Sequence, residues 1–230
     1  MSETPYRAAL IVGAGPGISA AVARRFSRAG LRVGLASRNP ERLAALAAET
    51  KAETFTADAA DAASVAQLFE DADRRLGEPD VVVYNASGRV RGPIADLDPD
   101  EVRRSMDVSA FGAFLSVQQA ARRMLRQGRG AILLTGATAG VKGFALSAPF
   151  AMGKFALRGL AQSAARELGP RNIHVAHIVV DGAVRSDTRP DHDDATLDPD
   201  GIAQTYVDIL RQPRNAWSFE VELRPWMEKF

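Results

Sequence analysis

Apolar residues recur along the chain in two patterns. Short runs rich in apolar residues occur at 8–12, 31–36, 80–85, 131–134, 173–180 and 219–223, with a weaker one at 53–57. Between them, apolar positions fall about four apart, as at Ile18, Val22 and Phe26. The first pattern predicts strands buried on both faces, and the second predicts amphipathic helices. Helix-start signals agree with this division. Asn39-Pro40 opens a helix over 41–48, Asp98-Pro99-Asp100-Glu101 reads as a capping box before a helix to about Gln127, and Asp198-Pro199 opens a last helix to about Leu210. Helices over 18–29, 63–76 and 149–168 complete the set, with Gly128 and Gly169-Pro170 as stops. Strands alternating with helices predict an α/β fold, a parallel sheet with helices on both faces. No linker or repeat divides residues 1–230, so a single domain is expected. The polar segment 185–197 predicts a mobile loop, and a short tail carries Trp226 and Phe230.

Composition narrows the chemistry. The 230 residues are 46% hydrophobic and 25% charged, enough for one full core. A formal net charge of +1 gives no electrostatic case for nucleic acid or a membrane surface. The absence of cysteine removes disulfides, thiolate nucleophiles and zinc–thiolate sites. No signal-peptide pattern and no apolar run of roughly 20 residues occurs, which predicts a soluble, cytoplasmic protein. Only three histidines and three tyrosines remain as acid–base groups in the neutral and phenolic range. His174 and His177 are three apart on one strand and so face opposite sides of the sheet. Asp191-His192-Asp193-Asp194 reads as a solvated loop, and no metal site is expected.

Gly13-Ala14-Gly15-Pro16-Gly17-Ile18 separates the first strand from the first helix. Glycines there allow a tight turn and let a pyrophosphate approach the helix N-terminus. Read on to Ser19, the run resembles the cofactor loop of the short-chain dehydrogenase/reductases, with Val12 where Thr is usual and Ser19 in place of the last Gly. The resemblance covers nearly the whole chain. Asp58-Ala59 matches the family's adenine-contacting pair, Asn85-Ala86-Ser87-Gly88 its Asn-Ala-Gly turn, and Asp181-Gly182 its Pro-Gly turn. Ser186, just beyond Val184, falls where a Thr often holds the nicotinamide amide. The resemblance implies a Rossmann-type doubly wound sheet of seven parallel strands in the order 3-2-1-4-5-6-7. It implies a nicotinamide cofactor held by Gly13, Gly15, Pro16, Gly17, Ile18, Ser37, Arg38, Asp58, Ala59, Asn85, Ala86, Ser87, Lys154, Asp181, Gly182, Val184 and Ser186.

Selectivity for NAD(H) needs a carboxylate at the end of the second strand. Ser37 stands there instead, and Arg38 offers a charge-assisted fork to a 2′-phosphate, so NADP(H) is favoured over NAD(H). Family chemistry uses a Tyr four residues before a Lys, a Ser thirteen before that Tyr, and an Asn on the fourth helix. Lys154 matches the Lys; the other positions hold Phe150, Ala137 and Ser109. A one-residue slip brings Thr138 to the Ser position, but no tyrosine lies between Tyr84 and Tyr206. Lys154 and Tyr84 remain as candidate proton donors. Ser147, Thr138 and Ser109 carry hydroxyls that could polarise a substrate oxygen or order a water.

The family's substrate side maps to loops 87–95, 140–149 and 185–197, with an apolar wall from Val141, Phe144, Leu146, Phe150 and Met152. Arg89 and Arg91 lie in the first of these loops. Small residues on the fourth and fifth predicted helices suit the family's helix-bundle interface, and a homodimer or homotetramer is expected. Two readings stay open: an NADP(H)-dependent oxidoreductase acting on a small-molecule substrate with a replaced proton donor, and an NADP(H)-binding sensor or scaffold without chemistry.

Overall fold

Strands apolar on both faces need helices on both faces, and the computed structural model has this arrangement. It describes residues 4–228; residues 1–3, 229 and 230 lie outside the described residues, and with them Phe230 of the tail. The strands are β1 (Ala8–Val12), β2 (Arg32–Ser37), β3 (Glu53–Thr56), β4 (Val81–Tyr84), β5 (Gly130–Thr135), β6 (Ile173–Val180) and β7 (Glu220–Leu223). They form one sheet in the order β3-β2-β1-β4-β5-β6-β7, with every neighbouring pair parallel. The helices are α1 (Ile18–Arg28), α2 (Ala44–Thr50), α3 (Ala62–Leu76), α4 (Pro99–Met106), α5 (Gly112–Gln127), α6 (Ala148–Leu168) and α7 (Pro199–Arg211).

Alternation along each strand divides the core in two. Ile11, Leu35, Val83, Leu133 and Ile178 pack with residues of α1 and α7, including Phe26 and Tyr206. Leu10, Val82, Ile132 and Val175 pack with residues of α3, α5 and α6, including Phe69, Met124 and Leu157. One-residue alternation supplies both faces from the same strands.

Two local readings need correction. The helix expected over 41–48 opens as a 3₁₀ turn at Pro40–Leu43, and Asn39 makes no side-chain cap. The helix expected to run unbroken to Gln127 contains a π turn at Asp107–Phe111 between α4 and α5. Its physical reason lies on β4. The Tyr84 hydroxyl is buried and donates to the Val108 carbonyl inside that turn. Gly112 follows because a Cβ there would lie 2.6 Å from the Tyr84 oxygen and 2.3 Å from the Ala59 carbonyl oxygen. Asp98 does cap α4, through the Asp100 N–H at 2.8 Å.

The sheet's first strand is anchored by one carboxylate. Asp80 is 3% exposed and accepts the backbone N–H groups of Arg7 and Ala8 at 3.0 and 2.9 Å, and the Arg129 guanidinium at 2.8 Å. Asp80→Ala strands two backbone donors, and is expected to lower stability by about 2–4 kcal/mol. Urea unfolding followed by circular dichroism reads this as a lower midpoint at an unchanged slope.

Candidate functional site

Parallel strands bring their carboxyl ends to one edge, and Val12 pairs there with Ala36 on one side and Tyr84 on the other. The chain leaves β1 towards β2 and β3, then crosses back to β4, so a crevice opens between the β1 and β4 loops. The glycine loop fills its floor. The N–H groups of Gly13 and Ala14 both donate to the Ala36 carbonyl, at 3.0 and 2.9 Å. Gly13 has φ +84, and a Cβ on it would lie 2.3 Å from the backbone nitrogen of Ala86. Ser19 accounts for its departure from glycine: its hydroxyl donates to the Gly13 carbonyl at 3.1 Å and accepts from the Asn85 side chain at 2.7 Å.

Outside this loop there is room. A Cβ on Gly15 or Gly17 would meet nothing within 4 Å. No side chain caps α1 and no acid lies in its first turn, so the positive end of the helix is left open to an anion. The adjoining cavity, about 560 Å³, is lined by the glycine loop, Ser37–Asn39, Asp58, Ala59 and Asn85–Ser87. These features fit the pyrophosphate and adenosine of a dinucleotide. At the adenosine end Arg42 joins Arg38 on the cavity wall. Arg42 belongs to no motif; the 3₁₀ turn at Pro40–Leu43 carries it there.

A second cavity, about 700 Å³, continues past the carboxyl ends of β4 to β6. Lys154, Phe150, Ala137, Thr138 and Ser147 all line it. Lys154 is 4% exposed and donates to the Thr135 carbonyl at 2.8 Å. Burial pulls its pKa down to about 8. Its ammonium is 5.8 Å from the centre of the Phe150 ring, and the Arg89 guanidinium is 4.9 Å from the same centre. The tyrosines are engaged elsewhere. Tyr6 reaches the Gly130 carbonyl, Tyr84 is tied to Val108, and Tyr206 lies 2.7 Å from the Thr135 hydroxyl within the core. Burial raises the pKa of Tyr84 well above the phenolic range, and no Tyr84 atom lines the second cavity.

Other expected site residues fall at different distances from this centre. Ser109 is 1% exposed; its hydroxyl accepts the Gly88 N–H at 2.9 Å, and it lines neither cavity. Gly153 permits this, since a Cβ there would lie 2.6 Å from the Ser109 Cβ. Asp181, expected among the cofactor-holding residues, lines neither cavity. Its carboxylate pairs with Arg224 at 2.5 Å, and that ion pair steadies a turn whose Gly182 has φ +146. Val184 and Gly182 reach the second cavity, whereas Ser186 flanks Gly15, Gly17 and Ile18. Segment 185–197 is closed by its own bonds, Arg185 N–H to Leu197 O at 2.9 Å and Leu197 N–H to Ala183 O at 2.8 Å. His174 stacks on Trp217 at 4.6 Å, while His177 binds the Glu220 carboxylate at 2.9 Å beneath the sheet edge. Among the described residues no three His, Asp or Glu side chains are grouped to hold a metal, and no helix is long and apolar enough to cross a membrane.

Comparison with known proteins agrees with this geometry. The family model for the short-chain dehydrogenases matches residues 7–196. The trans-4-hydroxycyclohexanecarboxylate dehydrogenase of Sinomonas cyclohexanicum is 34% identical over 180 residues, 74% of this chain and 69% of that protein. A short-chain dehydrogenase from Rhodopseudomonas palustris shares 34% identity and a TM-score of 0.83, over 96% of this chain and 99% of its own. A metagenomic short-chain oxidoreductase solved with NADP has a TM-score of 0.87 and 29% identity, over 98% of this chain and 100% of its own.

Lys154 provides a test of the site's desolvation. Its folded pKa of about 8 lies below the ordinary 10.5, so between these values the unfolded chain holds a proton that the fold does not. The cost of burying the ammonium is fully present below pH 8 and is relieved as pH rises. Relative to Lys154→Met, the unmodified protein is expected to gain stability from pH 8 to 10.5, read by urea unfolding across that range. A flat difference would refute the burial argument.

Proposed function

The chain belongs to the short-chain dehydrogenase family, and from that premise we propose that it is an NADP(H)-dependent oxidoreductase acting on a small, largely apolar substrate. We further propose that it works without the family's Tyr and Ser, since Phe150 and Ala137 occupy those positions. The observation that carries the reading is one cleft with two ends: Arg38 and Arg42 at the adenosine end, with Ser37 in the carboxylate's place, and Lys154 at the other. Two guanidiniums suit a 2′-phosphate, and the missing carboxylate removes its repulsion. The NADP bound by the metagenomic relative supports the same cofactor.

When bound, the nicotinamide supplies or accepts the hydride. The chain's part is to position it and to manage a proton. The glycine loop and the open end of α1 would hold the pyrophosphate, and Gly182 and Val184 would form the wall beside the nicotinamide, with Asp181 bracing that turn through Arg224. Lys154 holds the proton. Its lowered pKa makes its ammonium a better acid than an exposed lysine, and its amine a usable base near neutral pH. Thr138 and Ser147 line the same cavity and offer hydroxyls to a substrate oxygen.

A second reading, an NADP(H)-binding sensor or scaffold, draws support from the tyrosines, all of which are buried and none of which lines the cavity. One experiment separates the two. NADPH is expected to bind at least tenfold tighter than NADH, with most of that preference lost in Arg38→Ala/Arg42→Ala. NADPH oxidation is then followed over carbonyl, imine, quinone and enone panels, with Lys154→Ala as control. Lys154-dependent turnover supports the enzyme, and tight NADPH binding without turnover supports the sensor. Equal affinity for NADH overturns the cofactor assignment.

The same reading includes a homo-oligomer. The helical face that would form it carries Phe111, Phe114, Met152 and Phe155, each between 41% and 50% exposed. Phe111 and Phe114 stack with centroids 6.1 Å apart. This face is aromatic as well as small-residue, and large exposed apolar patches mark contact surfaces. Light scattering is expected to give a dimer or tetramer at micromolar concentration, and a smaller species for Phe114→Glu/Phe155→Glu. A monomeric unmodified protein contradicts the proposal.

A further inference from the structure

The substrate cavity has a marked charge asymmetry. Arg89, Arg91 and Lys154 line it, and among the described residues no Asp or Glu does. The Lys142 ammonium lies 5.8 Å from the centre of the lining Phe144 ring. Lys154 is engaged with the Thr135 carbonyl, but neither Arg89 nor Arg91 has a carboxylate partner among the described residues. Exposed arginines with no partner are ordinary on a surface. Two observations set this pair apart. The Arg89 guanidinium is seated on the Phe150 ring at 4.9 Å, which orients its fork in the cavity. The loop that carries both arginines is tied to the loop before α6 by the Gly92 N–H, which donates to the Leu146 carbonyl at 3.1 Å. The Arg89 guanidinium is therefore held on the wall before any ligand arrives, and the tied loop places Arg91 on the same wall.

The same wall carries the apolar side chains of Phe144, Phe150 and Val184, beside the hydroxyls of Thr138 and Ser147. A ligand matched to both halves has an apolar body and one anionic group. We propose that the substrate is a carboxylate of this kind, its apolar part against Phe144 and Phe150 and its carboxylate on Arg89 and Arg91. The inference rests on the reading of this cavity as the substrate site. It adds to that reading a substrate class and two specificity-determining residues. A planar guanidinium offers a carboxylate two parallel donors, and a neutral analogue loses that charge-assisted pair.

Cyclohexanecarboxylate and its neutral isostere cyclohexanecarboxamide provide the test, titrated calorimetrically into the full chain with and without saturating NADP⁺. The carboxylate is expected to bind about tenfold tighter or more. That preference should fall to near parity in Arg89→Gln/Arg91→Gln and return at least in part in Arg89→Lys/Arg91→Lys, with circular dichroism checking that each variant is folded. Equal binding of the two compounds, no binding of the carboxylate, or a preference that survives the glutamine variant overturns the proposal. The NADP⁺ titration keeps the two readings apart. No carboxylate preference in a protein that binds NADP⁺ sinks the anion site alone. Carboxylate preference in a protein that does not bind NADP⁺ sinks the cofactor reading and leaves the anion site standing.

Discussion

Two backbone N–H groups converge on one carbonyl, Gly13 and Ala14 on Ala36, and the rest of the site depends on that turn. It reverses the chain within the width of two strands, so that α1 starts at the crevice with its dipole aimed outwards. It works only because Gly13 accepts a left-handed backbone against Ala86. The contact with Ala86 joins the first half of the fold to the second, since β4 delivers Asn85 and Ala86 to the same place. Ser19 reinforces the junction by bonding both Gly13 and Asn85. A site for a two-part ligand thus follows from the crossover between β1 and β4.

Much of the architecture was legible from alternation. Seven runs became seven strands, each within two residues of its expected bounds; β1, β2, β4, β5 and β6 are buried on both faces and leave a signal that no local interaction disguises, while the edge strands β3 and β7 are mostly half-buried. Their order came from resemblance to a family, not from periodicity, and the structure agrees with it. What periodicity could not show was the π turn at Asp107–Phe111. Its cause is a hydroxyl on β4, more than twenty positions away in sequence, and no window along the helix contains it.

The site divides in the same way. The glycine turn was readable because its constraint is local, whereas Lys154 was named from the family motif and not from any local constraint. Arg42, the Asp181–Arg224 pair and the seat of Arg89 on Phe150 were not readable, because each joins segments that only the fold brings together. Ser109 shows the opposite error. A hydroxyl at a family position reads as chemistry, yet here the Gly88 backbone uses it, and its service is to hold the loop that carries Arg89.

Phe150 connects the absent phenol to the charge of the cavity. Two cations approach that ring, Lys154 at 5.8 Å and Arg89 at 4.9 Å from its centre, and an ionised phenol there would give them a negative partner. Phenylalanine keeps the ring and its attraction for cations, but carries no ionisable group. Lys154 is then left with only a neutral carbonyl, and Arg89 with only a π face. Neither contact balances a full charge in a cavity without a carboxylate. On the proposed reading, the phenylalanine that stands in the proton donor's place therefore leaves positive charge in the cavity without a carboxylate partner. A ligand that brings its own negative charge would answer it.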